Sequence, residues 1–284
     1  MKIFSKKRLT LFVILFILAA IISALLIIGN KRIEVNRYSL SYESLPGAFD
    51  GYKIAQISDL HNTVFGKDNR KLLSKLESTE PDIIVITGDI IDRNKTDINK
   101  ALDFVSQAVK IAPVYYVTGN HEGSSKDYPI LERGLAALGA IILRNESTSL
   151  TKDGQTISIV GLDDQSFDKD GKDEYGKTLP KILEKLSGEE SFSVLLAHRP
   201  HYFDSYAEAG YDLILSGHVH GGQIRIPFIG GLIAPDQGLF PKYDSGLYSK
   251  DGSNMIISRG LGNSIFPLRV NNSPEIILTI LKSK

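Results

Sequence analysis

Apolar runs that stop abruptly at polar residues of metal-ligand type recur five times along the chain. The runs are 54–57, 83–86, 114–117, 194–197 and 213–215. The polar residues that follow them are, in chain order, Asp59 and His61, Asp89, Asn120 and His121, His198, and His218 and His220. Short β-branched apolar runs favour strands buried on both faces of a sheet. Because an open α/β sheet carries its site at the carboxyl ends of such strands, we expect these side chains to share one site.

Amphipathic segments alternate with the first of these strands. Helices are predicted where leucines 72, 73 and 76 share one face, over about 98–111, and near 129–138. Alternation of strands with helices predicts an α/β fold rather than segregated layers. Residues 163–177 are polar and contain glycine, so we expect a surface loop there, before a short helix that ends near Leu186.

Further strands are predicted in the second half of the chain. Residues 141–143 and 156–160 are expected to flank a turn at 152–154, and 255–258 and 276–281 are expected to close a second sheet. Residues 33–45 alternate loosely and are predicted to lead into the domain as an edge strand. No repeat or linker divides residues 50–284, which we therefore assign to one domain.

The N-terminal region is predicted to be a membrane anchor. Residues 9–28 contain only Thr10 and Ser23 as polar residues, and a helix of that length spans roughly 30 Å, the thickness of a bilayer core. Four basic residues precede it, which favours a cytoplasmic segment 1–8, a connector 29–49 and a domain 50–284 outside the cytoplasm, at the cell membrane. The alternative is a cleaved signal peptide, although no small-x-small cleavage site follows Ile28.

Composition narrows the possible chemistry and partners. The chain contains no cysteine, so any metal must be held by oxygen and imidazole nitrogen. Residues 1–32 hold six of the 33 basic residues and no acidic residue, so the remainder carries 27 basic against 33 acidic side chains. A domain that acidic cannot displace counterions from a phosphate backbone, which excludes nucleic acid as a partner.

The spacing of the polar residues favours a metal site. Asp59 and His61 are two residues apart, as are His218 and His220, so in extended segments each pair would leave the backbone on one face. Asp89 could bridge two cations with its two oxygens. Oxygen and imidazole ligands suit Mn, Fe or Zn. A lone histidine at a strand end is more often a core or surface residue, but five such strand ends in order favour the metal interpretation.

The five motifs together resemble the calcineurin-like metallophosphoesterase superfamily. They are Asp59-x-His61, Gly88-Asp89-x-x-Asp92, Gly119-Asn120-His121-Glu122, His198 and Gly217-His218-x-His220, and the resemblance covers roughly residues 53–282. It implies two mixed β-sheets packed face to face with helices outside. It also implies two divalent metal ions, one held at the positions of Asp59, His61, Asp89 and His220, the other at those of Asp89, Asn120, His198 and His218. Glu122 and Val219 depart from the common residues of the motifs, at positions that are not ligands.

The activity implied by this resemblance is hydrolysis of a phosphomonoester or phosphodiester by a hydroxide that bridges the two metals. His121 would serve as the general acid, with orientation of a ligand as the alternative. Asn62, Arg199 and Arg259 are weaker candidates for phosphate contacts, and Asp92 is expected to support the site rather than bind metal. The alternative class of function is a metal-stabilised, membrane-anchored scaffold or receptor without turnover.

Two features raise the question of a lipid-linked substrate. His198-Arg199-Pro200 and Gly221-Gly222-Gln223 are similar to a membrane-attached bacterial branch that includes enzymes acting on UDP-diacylglucosamine. Residues 224–240, directly after His220, are apolar for a segment predicted to be a long loop or hairpin. We expect these side chains to fill the gap between the two sheets; the alternative is an exposed apolar patch that binds acyl chains or a bilayer surface.

Overall fold

Two six-stranded mixed sheets pack face to face in the computed structural model, which describes residues 10–17, 20, 29–168, 172–188, 191–263 and 268–284. The first sheet is built from β1 (Glu34–Tyr42), β2 (Lys53–Ile57), β3 (Ile83–Thr87), β4 (Val114–Val117), β5 (Ile141–Ile142) and β16 (Glu275–Ser283). Its order is β1-β16-β2-β3-β4-β5. Strands β2 to β5 are parallel, whereas β16 runs antiparallel to β2 and parallel to β1.

The second sheet has the same number of strands. It contains β6 (Glu146–Lys152), β7 (Gln155–Gly161), β8 (Ser193–Leu196), β9 (Leu213–Ser216), β14 (Gly246–Lys250) and β15 (Ser253–Ile257). Its order is β14-β15-β9-β8-β7-β6, with a parallel centre of four strands and an antiparallel hairpin strand at each edge. The carboxyl ends of the parallel strands in both sheets carry the polar motifs.

Six helices are described after the start of β1. They are α1 (Arg70–Glu77), α2 (Ile98–Ala108), α3 (Asn120–Gly123), α4 (Tyr128–Ala137), α5 (Lys172–Leu186) and α6 (Phe203–Glu208). Helices α1, α2 and α4 pack on the outer face of the first sheet, and α5 and α6 on the outer face of the second.

The side chains of β3 point alternately to the two faces of the first sheet, and both faces are covered. Ile83 and Val85 point into the core between the sheets, while Ile84 and Ile86 point towards the helices. Successive strand side chains leave on opposite faces, so a strand apolar at every position needs a cover on each side. The predicted α/β class and the arrangement of two sheets with helices outside are confirmed.

Three predicted elements differ from the structure. The strand before the turn at Asp153–Gly154 is β6, whereas β5 belongs to the first sheet. Strand β6 is a polar edge strand, which a search for apolar runs does not detect. Strand β16 lies in the first sheet rather than closing the second. Helix α5 begins at Lys172, inside the segment predicted to be a loop.

The loop after His220 forms two short hairpins rather than filling the core. They pair β10 (Arg225–Ile226) with β11 (Gly230–Gly231), and β12 (Ile233–Ala234) with β13 (Gly238–Leu239). Phe228 at the first tip is fully exposed, and Ile229 is 64% exposed. The prediction that this segment plugs the gap between the sheets is therefore wrong. The gap is filled mainly by strand side chains, together with Leu45, Phe49, Tyr52, Leu143 and Phe192 from the connecting segments.

The predicted membrane anchor falls largely outside the described residues. Of residues 9–28, the structure describes 10–17 and 20, which are helical and exposed. Among the residues that it describes, no helix is both long and apolar enough to cross a membrane. The anchor stays a prediction.

Candidate metal centre

Polar side chains from five turns meet where the carboxyl ends of the two sheets face each other. The turns follow β2, β3, β4, β8 and β9, and all seven predicted metal ligands lie here. Six of them are buried: Asp59, His61, Asp89, His198, His218 and His220. Asn120 is partly exposed at the start of α3. Gln56, inside β2, links the sheets below the site through Nε2, which donates to Thr87 Oγ1 at 2.9 Å and to Ser216 O at 2.8 Å.

One group of donor atoms comes from Asp59, His61 and His220. The Nε2 atoms of the two histidines are 3.1 Å apart. Asp59 Oδ1 lies 3.5 Å from His220 Nε2 and 4.0 Å from His61 Nε2. Three buried donors at such separations can bind one cation, since each offers a lone pair to the same small volume.

A second group comes from Asp89, His198 and His218, joined by Asn120. His198 Nε2 lies 3.3 Å from Asp89 Oδ2, 3.2 Å from His218 Nδ1 and 3.2 Å from Asn120 Oδ1. The ring of His198 is fixed from behind, because its Nδ1 lies 2.8 Å from Thr87 O and must carry the proton of that hydrogen bond. Nε2 is then the nitrogen that faces the other donors of this group.

Asp89 lies between the two groups. Its Oδ2 is 3.3 Å from His198 Nε2 in one group and 3.7 Å from His61 Nε2 in the other. Its Oδ1 accepts a hydrogen bond from His121 N at 2.8 Å, which fixes the carboxylate plane. This arrangement allows a single carboxylate to serve both donor groups.

The close approach of two turns requires glycine at their tips. Gly88 has a φ of +88°, and a Cβ there would lie 2.7 Å from Gly119 Cα and from His198 Nδ1. A Cβ on Gly119 would collide with Asp89 Oδ1. Gly88 and Gly119 thus allow the turns after β3 and β4 to approach each other closely beside Asp89.

Glu122 links the same two turns through hydrogen bonds from their backbone N–H groups. Its Oε2 accepts hydrogen bonds from Asp89 N at 2.8 Å and Gly119 N at 2.7 Å, and its Oε1 accepts from Ile91 N at 3.2 Å. Burial, and then the charge of Asp89, raise the pKa of Glu122 to about 8. The residue that departs from the common motif is thus the acceptor that positions Asp89 and Asn120.

The ionisation states suit cation binding. Burial lowers the pKa of His61 to about 3 and that of His218 to about 4, and burial followed by the charge of His61 places that of His220 well below its usual range. These rings are neutral at pH 7, as ligation requires. For His198, burial lowers the pKa, but the Asp89 carboxylate outweighs it and raises the pKa to about 10. A cation would have to displace that proton.

The donor set fits divalent cations of the predicted kind. Carboxylate and amide oxygens and imidazole nitrogens converge in the two groups described above, His61, Asp92 and His121 form a third, and the chain has no thiolate. Such mixed oxygen and nitrogen sets suit Mn, Fe or Zn. The two ligands of each Asp-x-His or His-x-His pair converge through left-handed backbone conformations, not through the extended segments that were expected. The φ values of Asp59, His61, His218 and His220 are 52°, 45°, 73° and 47°.

His121 lines the cavity in front of the ligands. This cavity has a volume of about 360 Å³ and also contacts Arg93, Gln223 and Ile233. Nδ1 of His121 accepts a hydrogen bond from Arg93 N at 3.0 Å, so the proton that the neutral ring can offer is on Nε2. A carboxylate oxygen of Asp92 lies within 4.8 Å of a His121 ring nitrogen, and Asp92 Oδ1 accepts from Asn94 N at 2.7 Å.

Arg199 is buried beside His218 and is held by two carboxylates that the sequence had not indicated. Its Nε donates to Asp164 Oδ2 at 2.6 Å, and its Nη1 donates to Asp236, whose Oδ2 also lies 2.9 Å from His218 Nε2. Asp164 follows strand β7, so the search for apolar runs that end in carboxylates could have found it. Asp236 lies in the loop after His220, where no pattern distinguishes it.

The two other weak candidates for phosphate binding have different environments. Asn62 borders the site, and its Nδ2 donates to Lys95 O at 2.7 Å. Arg259 is held in ion pairs with Glu275 at 2.8 Å and Glu34 at 2.9 Å. Arg269 was not predicted from the sequence. Its side chain is buried, and its Nη2 lies 3.3 Å from His220 Nδ1. Burial lowers the pKa of Arg269 to about 10.

The fold and the donor groups define an α/β protein with a candidate metal centre between two packed sheets. A family model described as calcineurin-like phosphoesterase matches residues 52–222. The chain is 33% identical over 256 residues to the uncharacterized metallophosphoesterase YkuE of Bacillus subtilis (strain 168), covering 88% of this chain and 86% of that protein. It therefore belongs to the calcineurin-like phosphoesterase family.

One further relative supports the family, and one solved structure supports the fold. The chain is 27% identical over 234 residues to phosphodiesterase YaeI of Escherichia coli (strain K12), covering 80% of this chain and 81% of that protein. The structure of the sulfate thiohydrolase SoxB of Thermus thermophilus superimposes with a TM-score of 0.51 at 13% identity, covering 84% of this chain and 57% of that one. At that identity the superposition shows the fold alone.

Proposed function

We propose that the chain hydrolyses a phosphoester at a centre for two divalent cations, with Asp89 shared between them. The observation that carries this proposal is the position of Asp89 Oδ2, at 3.3 Å from a histidine nitrogen of one donor group and 3.7 Å from a histidine nitrogen of the other. Membership of the phosphoesterase family supports the reaction class. When bound, the cations supply an activated water and neutralise charge on the phosphoryl oxygens.

The surrounding residues have distinct tasks in this proposal. Thr87 O fixes the ring of His198 through Nδ1, so that Nε2 faces the cation. His121 lines the cavity and is assigned the stabilisation of the leaving oxygen, by a hydrogen bond or by proton transfer. Arg199 adds a positive charge beside His218, although its ion pairs with Asp164 and Asp236 leave positioning as its main role.

For the substrate, we propose a phosphodiester carried by a lipid-linked molecule. The cavity is lined on one side by the ligands and on the other by Ile233, Ala234 and Pro235, which could contact an apolar group. The exposed tip at Phe228 and Ile229 lies in the same loop. The name of the Escherichia coli relative supports a diester. The proposal includes the membrane anchor at 9–28, the catalytic domain outside the cytoplasm and the membrane-attached branch, all of which rest on the sequence.

Turnover of the full-length, detergent-solubilised protein tests the reaction. With saturating Mn²⁺, the wild type should hydrolyse bis-nitrophenyl phosphate faster than nitrophenyl phosphate. Asp89→Asn should lose more than about 100-fold in rate, beyond the 10–100-fold that loss of an outer-shell partner costs. Asp103→Asn, the same change at an exposed position of α2, is the matched control and should keep full activity. Near-normal turnover of Asp89→Asn would exclude a shared carboxylate. No turnover of any ester by the wild type would favour a binding protein.

A further inference from the structure

A basic cavity lies where the N-terminal segment meets helix α1. Its volume is about 560 Å³, and it is separate from the metal centre, with which it shares no lining residue. Its walls include five basic side chains: Lys31, Arg32, Arg70, Lys71 and Lys75. Among the residues that the structure describes, none of the residues lining it is acidic. The other walls are Ile33, Ser74 and Ser78.

These five side chains lack the counter-charges that surface lysines and arginines commonly have. Within the described part of the chain none of them is within ion-pair distance of a carboxylate. Glu34 is paired with Arg259 at 2.9 Å. Burial raises the pKa of Glu34, but Arg259 outweighs burial and lowers that pKa, with a smaller contribution from Arg32. Several like charges around one concavity raise the local potential and attract an anion with several acceptor oxygens, as a phosphate has.

The position of the cavity indicates where such a phosphate would come from. Asn30 fixes the chain directly before Lys31, since its Nδ2 donates to Arg269 O at 2.8 Å and its Oδ1 accepts from Arg269 N at 2.9 Å. Residues 9–28, the apolar run, end two residues earlier. The cavity therefore opens at the point where a membrane-spanning segment would leave the headgroup layer.

An exposed apolar loop is joined to the same place. Val270, next to Arg269, accepts a hydrogen bond from Arg225 N at 3.0 Å and bridges Ile224. The hairpins that follow expose large apolar side chains: Phe228, Ile229, Ile233, Leu239 and Phe240. A soluble phosphate compound gives no reason for these side chains to face solvent, whereas a bilayer surface takes apolar tips and basic side chains side by side.

We propose that the basic cavity binds the phosphate of an anionic phospholipid, with the apolar hairpins entering the bilayer surface beside it. The lipid phosphate would accept hydrogen bonds from the Lys71 and Lys75 ammonium groups and from the guanidinium groups of Arg32 and Arg70. This site holds the domain in one orientation on the membrane. Lipid retention in the basic cavity can be measured without turnover, because none of the residues lining that cavity is a metal ligand or lines the substrate cavity. Of the hairpin residues, Ile233 also lines the substrate cavity.

Lipid retention measured by native mass spectrometry tests this site. The full-length protein in detergent, without substrate or added metal, is titrated with phosphatidylglycerol and, separately, with zwitterionic phosphatidylcholine. The wild type should retain phosphatidylglycerol in preference. Lys71→Gln with Lys75→Gln should weaken that retention roughly thirtyfold, as expected for two basic side chains near a lipid surface. The matched control is Lys181→Gln with Lys185→Gln, the same spacing on exposed positions of α5 on the opposite face of the fold, which should change nothing.

Three results would overturn the proposal. They are equal retention of the two lipids by the wild type, unchanged retention by the Lys71 and Lys75 variant, and binding of glycerol 3-phosphate as tight as that of phosphatidylglycerol. The last would assign the cavity to a free phosphate compound. Unfolding midpoints of both double variants check that the fold is intact. If the Lys71 and Lys75 variant is unstable, Arg70→Gln alone should still lower phosphatidylglycerol retention about fivefold.

Discussion

Replacement of Glu122 by alanine should destabilise the fold and weaken cation binding together. The Glu122 side chain is fully buried and accepts hydrogen bonds from the N–H groups of Asp89, Ile91 and Gly119. Each buried N–H left without an acceptor costs about 1–3 kcal/mol. Three of them cost about 3 kcal/mol at the low end of that range, a large part of the 5–15 kcal/mol that typically stabilises a domain.

A second variant at the same position separates hydrogen bonding from packing. Glu122→Gln keeps the volume, and its carbonyl oxygen can still accept from Asp89 N and Gly119 N. Its NH₂ group then faces Ile91 N, so one acceptor is lost at a cost of about 1–3 kcal/mol. Because burial and the charge of Asp89 raise the pKa of Glu122 to about 8, the carboxyl group is largely neutral at pH 7, and the amide replacement changes its hydrogen bonding more than its charge. We therefore expect Glu122→Gln to lie between the wild type and Glu122→Ala.

Urea unfolding of the full-length protein gives the free energies, and titration calorimetry with Mn²⁺ gives the cation affinity. Glu132→Ala on the neighbouring helix is the matched control, because Glu132 forms a half-exposed pair with Arg144 at 3.2 Å, and its loss should cost less than about 1 kcal/mol. A loss below about 1 kcal/mol for Glu122→Ala, or unchanged Mn²⁺ affinity, would show that the turns carrying Asp89 and Asn120 do not depend on this carboxyl group.

Three further predictions concern the acid, the apolar hairpin and the topology. His121→Ala should retain cations and lose about 10²- to 10⁴-fold in rate on esters with poor leaving groups, but much less on nitrophenyl esters, and equal losses would assign His121 to ligand orientation alone. Phe228→Ser with Ile229→Ser should leave hydrolysis of a soluble nitrophenyl ester unchanged and reduce hydrolysis of a lipid-linked phosphodiester. Ile130→Ser, at another exposed position, is the control. Loss of both activities with a lower melting temperature would refute an exposed membrane contact. If 9–28 is a retained anchor, the domain should resist carbonate extraction of membranes and be cleaved by protease added to intact protoplasts, and protection would place it in the cytoplasm.

Sequence patterns predicted the parallel strands and their site because one physical rule governs both. Strands apolar at every position must be covered on each face, and β3 meets that rule between two cores. The carboxyl ends of such strands are then the place where polar residues can gather. Edge strands follow another rule, since β6 is half exposed and polar, and its pairing with β7 could not be inferred from an apolar run.

The supporting residues were harder to predict than the ligands. Asp236 and Arg269 approach the site from the loop after His220 and from the segment before β16, and they contact His218 and His220. Their role depends on where two irregular segments fold back, which involves contacts between residues 18 to 49 positions apart. Hydrophobic periodicity carries no information about such contacts. The exposure of the apolar hairpin was mispredicted for a related reason, since composition alone does not reveal whether a loop faces a core or solvent.

Backbone conformation explains why the ligands converge even though the extended geometry assumed for them is wrong. Asp59, His61, Asp89, His218 and His220 all have φ between 45° and 73°, a region that costs a residue other than glycine about 1 kcal/mol or more. Bonds between turns hold these conformations: Asp59 N donates to Gly88 O at 3.1 Å, and His61 N donates to Asp89 O at 3.0 Å. Each ligand-bearing turn therefore depends on its neighbour for its shape. His218 N, in a turn of the second sheet, also donates to Asp59 Oδ1 at 3.1 Å. Because each donor group combines residues from turns of both sheets, the metal centre cannot be assigned to any single segment of the sequence.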